Sequence, residues 1–216
     1  MRIATRQRRL MFSKFMEECR VRDADTVLDV GVTSDQTYES SNYVESWLPN
    51  KSLITAVGVD DAEFLETLYP GLKYVRANGL ALPFEQKSLD VVHSSAVLEH
   101  VGSFGNQVKF IKECARVTRR SFFLTTPNRF YPVEFHTVLP LVHWCPKPWF
   151  RYVLRMIGYS FFALEENLNL MSISEVHKAA SLALPPTEFN FKVATVKLLG
   201  LASNILLYGE RVEENA

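Results

Sequence analysis

Five short apolar runs alternate with stretches of helical pattern, and this alternation constrains the fold more than any other feature. The runs lie at 26–31, 53–60, 72–76, 89–94 and 121–126. Helical patterns lie at 39–48, 61–69 and 103–118. Because the runs are apolar at successive positions, they are typical of strands that helices cover on both faces. The sequence therefore predicts an α/β fold with a mostly parallel sheet.

The N-terminal segment differs from the rest of the chain in charge. Residues 1–24 are predicted to form a basic amphipathic helix, which either packs on the outside of the domain or contacts an anionic surface or partner. Residues 25–216 are predicted to form one domain.

The last third of the chain departs from the strand–helix alternation. Residues 127–160 are dense in proline and aromatic residues, and a cap over a site is predicted at about 129–172. A helix is expected at 174–182, with Ser174 as its N-cap. Two final strands, at 191–198 and 204–210, are expected to form a hairpin that closes the sheet.

Composition excludes several classes of protein. The 216 residues carry 24 Lys+Arg and 24 Asp+Glu, and 47% are hydrophobic. A formal net charge of zero does not favour a nucleic-acid-binding protein. The three cysteines form no CxxC pair and fit a reducing cytoplasm, and no run of about 18 apolar residues is present. We therefore expect a cytoplasmic protein with no nucleic-acid partner.

The residues after the first strand suit a ligand. In an open parallel sheet, ligands bind at the carboxyl ends of the strands. The first strand ends in Asp29-Val-Gly31, where Gly31 lets the backbone approach a ligand closely. Hydrogen-bonding residues then lead into a helix start: Thr33, Ser34, Asp35, Thr37, Ser40, Ser41 and Asn42. Free N–H groups at such a start suit a carboxylate or phosphate, although an ordinary βα turn has the same pattern.

The next strand ends carry an acid and an amide. Asp60 can accept hydrogen bonds from two ribose hydroxyls, or can cap the next helix. Asn78 follows the third strand, and its side-chain amide can pair with an adenine edge. A nicotinamide-dependent oxidoreductase is disfavoured, because the chain lacks GxGxxG and the gap from Gly31 to Asp60 is too long for a dinucleotide fingerprint.

Five segments in order carry a specific resemblance. They are VLDVG (27–31), AVGVD (56–60), ANGLALPF (77–84), SLDVVHSSAVLEHV (88–101) and FFLTTPN (122–128). Together they resemble class I S-adenosylmethionine-dependent methyltransferases, and are most similar to the branch with a type 11 methyltransferase domain. The resemblance covers about residues 25–128. It implies a Rossmann-like sheet of seven strands, mostly parallel with the last strand antiparallel, with helices on both faces.

The resemblance also implies S-adenosylmethionine as the cofactor and a role for each matching residue. The methionine end would be held by Asp29, Gly31, Val32 and Thr33. Asp60 would bind the ribose hydroxyls and Asn78 would face the adenine amine, beside backbone N–H groups offered by Gly79 and Leu80. Ser94 would line the floor of the site near the sulfonium. The family's glycine-rich loop is here Gly31-Val-Thr-Ser-Asp35, with one glycine. A catalytically inactive methyltransferase-like module that serves a partner protein therefore stays open as an alternative.

The acceptor side is expected in the segment that follows the fifth strand. His136 is the predicted base or acceptor-orienting group, because an oxygen acceptor must lose a proton. The predicted substrate contacts are Asn128, Arg129, Glu134 and His143, and Arg129 would suit a phosphate or carboxylate. A buried His136–Glu134 pair that only fixes the cap is the alternative. No metal is predicted, although Glu134 and His136 could supply ligands.

The sequence therefore predicts an O-methyltransferase that acts on a small molecule, a glycan or a lipid-linked sugar. Residues 148–157 are apolar with basic neighbours, so they form either a lid on their own domain or a peripheral contact at the inner face of a membrane. A nucleic-acid methyltransferase is disfavoured, because no Asn/Asp-Pro-Pro-Tyr/Phe motif is present. Acceptor identity and oligomeric state do not follow from the sequence.

Overall fold

The computed structural model describes residues 2–36 and 40–212, which form one sheet with helices on both faces. The strands are β1 Val27–Val30, β2 Ile54–Gly58, β3 Lys73–Arg76, β4 Leu89–Ser95, β5 Thr118–Pro127, β6 Phe189–Leu198 and β7 Leu201–Arg211. The α-helices are α1 Arg2–Glu18, α2 Tyr43–Trp47, α3 Phe64–Leu68, α4 Phe104–Val117, α5 Lys147–Met156 and α6 Ile173–Ala183. Short 3-10 helices span Lys51–Leu53, Leu98–His100 and Val142–Trp144.

The order of the strands creates one crevice. It runs β3-β2-β1-β4-β5-β7-β6. The strands from β3 to β5 pair in parallel, whereas β7 is antiparallel to both β5 and β6. The chain order reverses between β1 and β4, and such a switch point leaves a crevice at the carboxyl ends of the strands. The predicted seven-stranded sheet with an antiparallel last strand is confirmed.

The side chains of β1 alternate between two hydrophobic cores. Leu28 and Val30 pack beneath α4 and α6. Val27 packs on the opposite face, where Phe15 of α1 and Val44 of α2 are also buried. A buried side chain of this size stabilises the fold by roughly 1.5–3 kcal/mol. The helix predicted within 1–24 therefore packs on the sheet through its apolar side, while the division of the chain at residue 24 stays a prediction.

Two predicted helices are shorter in the structure. The helix predicted over 39–48 begins at Tyr43, although residue 39 lies outside the described residues. The helix predicted over 61–69 spans Phe64–Leu68. With five residues each, neither helix has enough aligned peptide groups for a strong N-terminal anion site. The predicted anion site at the start of α2 therefore has no support in the helix itself.

The prediction of Ser174 as a helix N-cap is wrong. Helix α6 begins at Ile173, and Ser172 is its N-cap. The Ser172 Oγ accepts a hydrogen bond from the Glu175 N–H at 3.3 Å, while the Ser172 N–H donates to Glu175 Oε2 at 2.8 Å. This reciprocal pair is a capping box, which needs Ser and Glu three positions apart. Ser174 is one position from Glu175 and cannot form it.

The final hairpin is tighter than predicted. Strands β6 and β7 extend until only Leu199 and Gly200 separate them. Both residues have positive φ, at 51° and 83°, as two-residue hairpin turns of type I′ require. Leu198 and Leu201 are therefore the last pair of the ladder, directly beside the two-residue turn.

The predicted cap, residues 129–172, has a small hydrophobic core of its own. Phe150 and Leu154 of α5 pack there with Ala163, Leu168 and Leu170. Asn128 and Met171 pair as a parallel bridge, so the two ends of the cap meet at the tip of β5. No α-helix of the described ranges has the length and apolar character needed to cross a bilayer.

Candidate cofactor and acceptor site

A cleft of about 470 Å³ lies at the carboxyl ends of β1, β2 and β4 and beside the loop after β3. The predicted cofactor residues that line it are Gly31, Val32, Thr33, Asp60, Asn78, Gly79 and Leu80. The cleft lies where the strand order reverses, which is the expected ligand position in an open α/β sheet. The structure thus brings together residues from three separate loops.

Gly31 gives the first loop its shape. Its φ is +101°, a conformation that side chains other than glycine rarely adopt. A Cβ atom at this position would lie 2.0 Å from Cγ2 of Val97. The N–H groups of Gly31 and Val32 both donate to the carbonyl oxygen of Val57, at 2.7 and 3.0 Å. Only glycine fits this backbone path across the end of β2.

Asn42 holds the next part of the same loop. The Thr33 N–H donates to Asn42 Oδ1 at 2.9 Å, and Asn42 Nδ2 donates to the Thr33 carbonyl oxygen at 2.9 Å. Asn42 is buried, so this pair of bonds is shielded from water. The loop therefore keeps a defined path although it has one glycine. Sequence reasoning counted Asn42 only among the polar residues of the turn, and Thr37 of that group lies outside the described residues.

Asp60 and Asn78 lie exposed on the cleft wall. Asp60 does not cap α3, because Glu63 occupies the N-cap position. The neighbouring Asp61 accepts a hydrogen bond from the Glu63 N–H at 3.1 Å. Asn78 Oδ1 accepts the Leu80 N–H at 2.9 Å. The Leu80 N–H is therefore bonded within its own loop, and the predicted roles of Leu80 and Asn78 toward a cofactor stay predictions.

Two predicted cofactor residues lie away from the cleft. Asp29 points to the opposite face of the sheet, because it alternates with Leu28 and Val30 along β1. Its Oδ1 lies 2.6 Å from Nδ1 of His93. Ser94 is buried below the cleft, and its Oγ donates to the Val30 carbonyl oxygen at 2.6 Å. Neither side chain lines the cleft, which corrects their predicted roles beside the methionine end and the sulfonium.

The Asp29–His93 pair belongs to a buried polar cluster. Tyr43 Oη lies 2.9 Å from His93 Nε2, and the carboxyl group of Glu45 is fully buried. Burial raises the pKa of Asp29 to about 7 and lowers the pKa of His93 to about 4. Burial and the nearby Asp29 charge raise the pKa of Glu45 well above its usual value. The carboxyl groups of Asp29 and Glu45 therefore stay protonated at pH values at which exposed carboxyl groups are already ionised.

A second polar cluster joins the cap to the cleft. Glu134 Oε1 lies 2.6 Å from His136 Nδ1, and His136 Nε2 lies 3.1 Å from His100 Nε2. The Nδ1 atom of His100 is 2.6 Å from the Asn167 carbonyl oxygen. His100 itself lines the cleft. His136 thus reaches the cleft through His100.

Hydrogen bonds set the charge on the Glu134–His136 pair. Burial alone would raise the pKa of Glu134, but hydrogen bonds from His136 and Thr137 hold it at about 2. Burial alone would lower the pKa of His136, but the bond to Glu134 and the charges of Glu99 and Glu134 raise it above its usual value. The pair therefore favours an ionised carboxylate beside a protonated imidazole.

Three predicted substrate residues bind backbone carbonyl groups of β7 or of the cap instead. Asn128 is buried, and its Nδ2 donates to the Ala202 carbonyl oxygen at 2.9 Å. Arg129 donates to the carbonyl oxygens of His143 and Cys145, at 3.2 and 2.7 Å. His143 is buried with its Nε2 2.7 Å from the Tyr131 carbonyl oxygen. Because these groups are engaged with backbone carbonyls, the structure does not bring them to the cleft.

The cap also supplies a cleft residue that sequence reasoning missed. Glu166 lines the cleft, whereas Asn167 and Asn169 bond to backbone groups. Asn169 Nδ2 donates to the Gly102 carbonyl oxygen at 2.7 Å, which holds this part of the cap against the loop after β4.

Comparisons with known proteins agree with this geometry. Residues 40–124 match the family model described as a methyltransferase domain. Two curated relatives, both probable S-adenosylmethionine-dependent methyltransferases of Mycobacterium tuberculosis strains, are 38% identical over 80 residues. That match spans 35% of this chain and 28% of the length of each relative. The predicted resemblance to this family is confirmed.

Solved structures share the fold. The YcgJ protein from Bacillus subtilis has a TM-score of 0.61 at 12% identity, covering 95% of this chain and 100% of that chain. A 1,6-didemethyltoxoflavin-N1-methyltransferase from Burkholderia thailandensis, solved with S-adenosylhomocysteine, has a TM-score of 0.62 at 10% identity, covering 95% of this chain and 78% of that chain. At these identities the likeness is one of fold.

Proposed function

We propose that this chain, which contains a class I S-adenosylmethionine-dependent methyltransferase domain, transfers the cofactor's methyl group to an oxygen atom of a small-molecule, glycan or lipid-linked acceptor. The observation that carries this proposal is the line of side chains from Glu134 through His136 to His100 at the cleft wall. A sulfonium methyl group needs no further activation, but a hydroxyl acceptor must lose a proton. His100 at the cleft wall, with His136 bonded behind it, would supply a group for that task.

The cofactor would lie along the strand ends. Asp60 would accept hydrogen bonds from the ribose hydroxyls, and the Asn78 amide nitrogen would face the adenine ring. The loop of Gly31, Val32 and Thr33 would hold the methionine end, with its path set by Asn42. In this arrangement the reactive end of the cofactor would lie toward the ends of β1 and β4, beside His100.

The histidines would orient and deprotonate the acceptor. His100 is held by the Asn167 carbonyl oxygen and would orient the hydroxyl at the cleft wall. At pH values above its raised pKa, His136 would be neutral and would accept the proton through His100, whose Nε2 lies 3.1 Å from His136 Nε2. The ionised Glu134 at 2.6 Å would stabilise the imidazolium that forms. Glu134 is thus a positioning residue that acts through His136.

Transfer to oxygen can be tested with methyl-¹³C-labelled S-adenosylmethionine and a panel of hydroxylated glycans, polyprenyl-linked sugars and phenols. Carbon–proton correlation spectra distinguish O-methyl from N- and C-methyl products. We expect an O-methyl signal that falls at least about 10²-fold in rate with His136→Asn, which is the usual contribution of a general base. The matched control is His177→Asn on the exposed side of α6, which should transfer at the normal rate.

The site of the label on the product decides between the alternatives. An N- or C-methyl product would contradict transfer to oxygen while leaving the cofactor site intact. If the folded chain binds neither S-adenosylmethionine nor S-adenosylhomocysteine, the inactive module that serves a partner protein becomes the better account.

The outer face of the cap supports a lipid-linked acceptor among these classes. On α5, Phe150 and Leu154 are buried, whereas Trp149, Tyr152 and Met156 are 66%, 57% and 68% exposed. Exposed aromatic groups beside apolar ones suit the interface of a lipid bilayer. Lys147 and Arg151 pair with Glu175 and Glu165, so the apolar groups rather than these charges would provide the attraction.

Sedimentation with lipid vesicles tests this contact. We expect the chain to bind vesicles of mixed phosphatidylcholine and phosphatidylglycerol, and Trp149→Ala to reduce the bound fraction several-fold. Leu199→Ala is the matched control, because Leu199 is 88% exposed on the β6–β7 turn, away from the cap. Equal loss in both variants, or no binding by the unaltered chain, would remove the membrane contact and leave a water-soluble acceptor.

A further inference from the structure

The geometry points to a site for a divalent first-row transition-metal ion formed by Glu99, His100 and His136. One ligand atom from each residue lies within 4.8 Å of the other two. Two nitrogen ligands and one oxygen ligand from protein are typical of sites that leave positions open for water or substrate. This site departs from the expectation that the chain binds no metal, and it does not depend on which acceptor is methylated.

The distances suit one small cation. His100 Nε2 and His136 Nε2 are 3.1 Å apart, and Glu99 Oε1 is 3.9 Å from His100 Nε2. Ligand atoms bound to one ion at about 2.1 Å are separated by about 3–3.5 Å. Small side-chain adjustments would therefore bring all three into a first coordination sphere.

An unpartnered carboxylate oxygen gives independent support. Glu99 is fully buried, and its Oε2 accepts a hydrogen bond from Thr126 Oγ1 at 2.8 Å. Within the described residues, Glu99 Oε1 has no hydrogen-bond partner. Leaving a buried carboxylate oxygen unsatisfied is costly, and native proteins satisfy nearly all such groups. A cation between Glu99 and the histidines would satisfy it.

The Nδ1 atoms of both histidines already have hydrogen-bond partners. His136 Nδ1 is bonded to the Glu134 carboxylate and His100 Nδ1 to the Asn167 carbonyl oxygen, each at 2.6 Å. Metal-binding histidines usually have such a partner on the second nitrogen, which orients the ring. Both Nε2 atoms therefore face each other, and without a cation they need a shared proton between them. A cation would replace that proton.

The position of the site gives the cation a role. His100 also lines the cleft, so the ion would sit at the wall where the acceptor is expected. A bound divalent ion polarises an oxygen ligand and lowers its pKa. In the metal-loaded protein, His136 would be a ligand and not the base proposed above. The ion would then lower the pKa of an acceptor oxygen, whose proton would pass to solvent in the cleft.

Cobalt(II) is a suitable probe, because its visible absorption reports coordination. The chain is treated with a chelator, dialysed and titrated with Co²⁺ in the absence of cofactor and acceptor. We expect one equivalent of Co²⁺ to bind and to give visible absorption bands. These bands should disappear when Zn²⁺ displaces the Co²⁺. His136→Ala and the isosteric Glu99→Gln should each raise the Kd at least about 10-fold, and Glu134→Gln should raise it by about 10–100-fold, as loss of an outer partner does.

His177→Ala is the matched control, since it removes an exposed histidine from α6. Its Kd should equal that of the unaltered chain. Equal affinity in all variants, or no binding by a chain that still unfolds cooperatively on heating, would overturn the metal site. Because no methyl transfer is measured, a failed transfer assay with intact cobalt binding would count against the proposed function alone.

Discussion

Asp29 Oδ1 lies 2.6 Å from Nδ1 of His93, and this pair crosses from β1 to β4 on the face of the sheet opposite the cofactor cleft. The two residues are register partners in neighbouring parallel strands. The acid in the VLDVG segment is therefore part of the interior beneath α1 and α2. Its side chain is bonded to His93 and does not line the cleft that Gly31 lines.

The positions of the two strand-end acids predict different effects on cofactor binding. Asp60→Asn should weaken S-adenosylmethionine binding by at least about 10-fold, because hydrogen bonds to a charged group contribute about 1.5–3 kcal/mol. Asp29→Asn should change the affinity by less than about 3-fold in the folded protein, since its side chain does not reach the cleft. Titration calorimetry with both variants measures the difference. Equal losses would return Asp29 to the cofactor site.

The buried acids predict how stability depends on pH. The pKa of Glu45 is raised in the folded state, so its contribution to stability is present at low pH and is lost as pH rises above its unfolded value. The Asp29 contribution is lost between about pH 4 and pH 7 in the same direction. His93 acts oppositely, because its lowered pKa removes stability as pH falls from 6.5 to about 4.

Glu45→Gln should therefore have a higher free energy of unfolding than the unaltered chain at pH 8. At pH 5 this gain in stability should be smaller or absent. Each pKa unit of difference corresponds to about 1.4 kcal/mol. Urea unfolding at the two pH values measures the free energy of unfolding. The exposed Glu63 provides the control, and Glu63→Gln should change little at either pH. A Glu45→Gln variant with unchanged pH dependence would show that Glu45 stays ionised in the fold.

The steric requirement for glycine at position 31 can be tested by comparison with Gly200, which also has a positive φ but has open space around it. Gly200 has φ of +83° with no atom near its missing Cβ, so Gly200→Ala should cost about 1–2 kcal/mol of strain. Gly31→Ala adds an overlap with Val97 and should cost more than about 3 kcal/mol. Chemical denaturation of both variants gives the comparison, and similar costs would mean that Val97 moves aside freely.

The N-cap of α6 is tested by a pair of serines two positions apart. Ser172→Ala removes the capping box and should lower the free energy of unfolding by about 1 kcal/mol, or the Tm by about 2–4 °C. Ser174→Ala should lower it by less than about half as much. Calorimetric melting curves distinguish them. A larger effect at Ser174 would restore the N-cap that the sequence predicted.

Local patterns decided what the sequence could predict. The apolar runs determined the strands, and the class of sheet followed because doubly buried strands need helices on both faces. Gly31, Asp60 and Asn78 line one cleft because each lies within two residues of a strand end, and strand ends converge on one edge. Their roles toward a cofactor stay predictions. The N-cap of α6 was predicted at the wrong serine, although the Ser172–Glu175 spacing is itself local.

Only the tertiary structure decided which distant side chains meet. Asp29 and His93 are 64 residues apart, and His100 and His136 are 36 apart. No periodicity in the chain encodes those contacts, because they depend on strand register and on how the cap folds back over the loop after β4. The same packing turns Arg129 and His143 toward backbone carbonyls, since a buried donor must find an acceptor wherever the fold provides one. The sequence by itself determined the scaffold and the strand-end residues, and packing determined the histidine cluster.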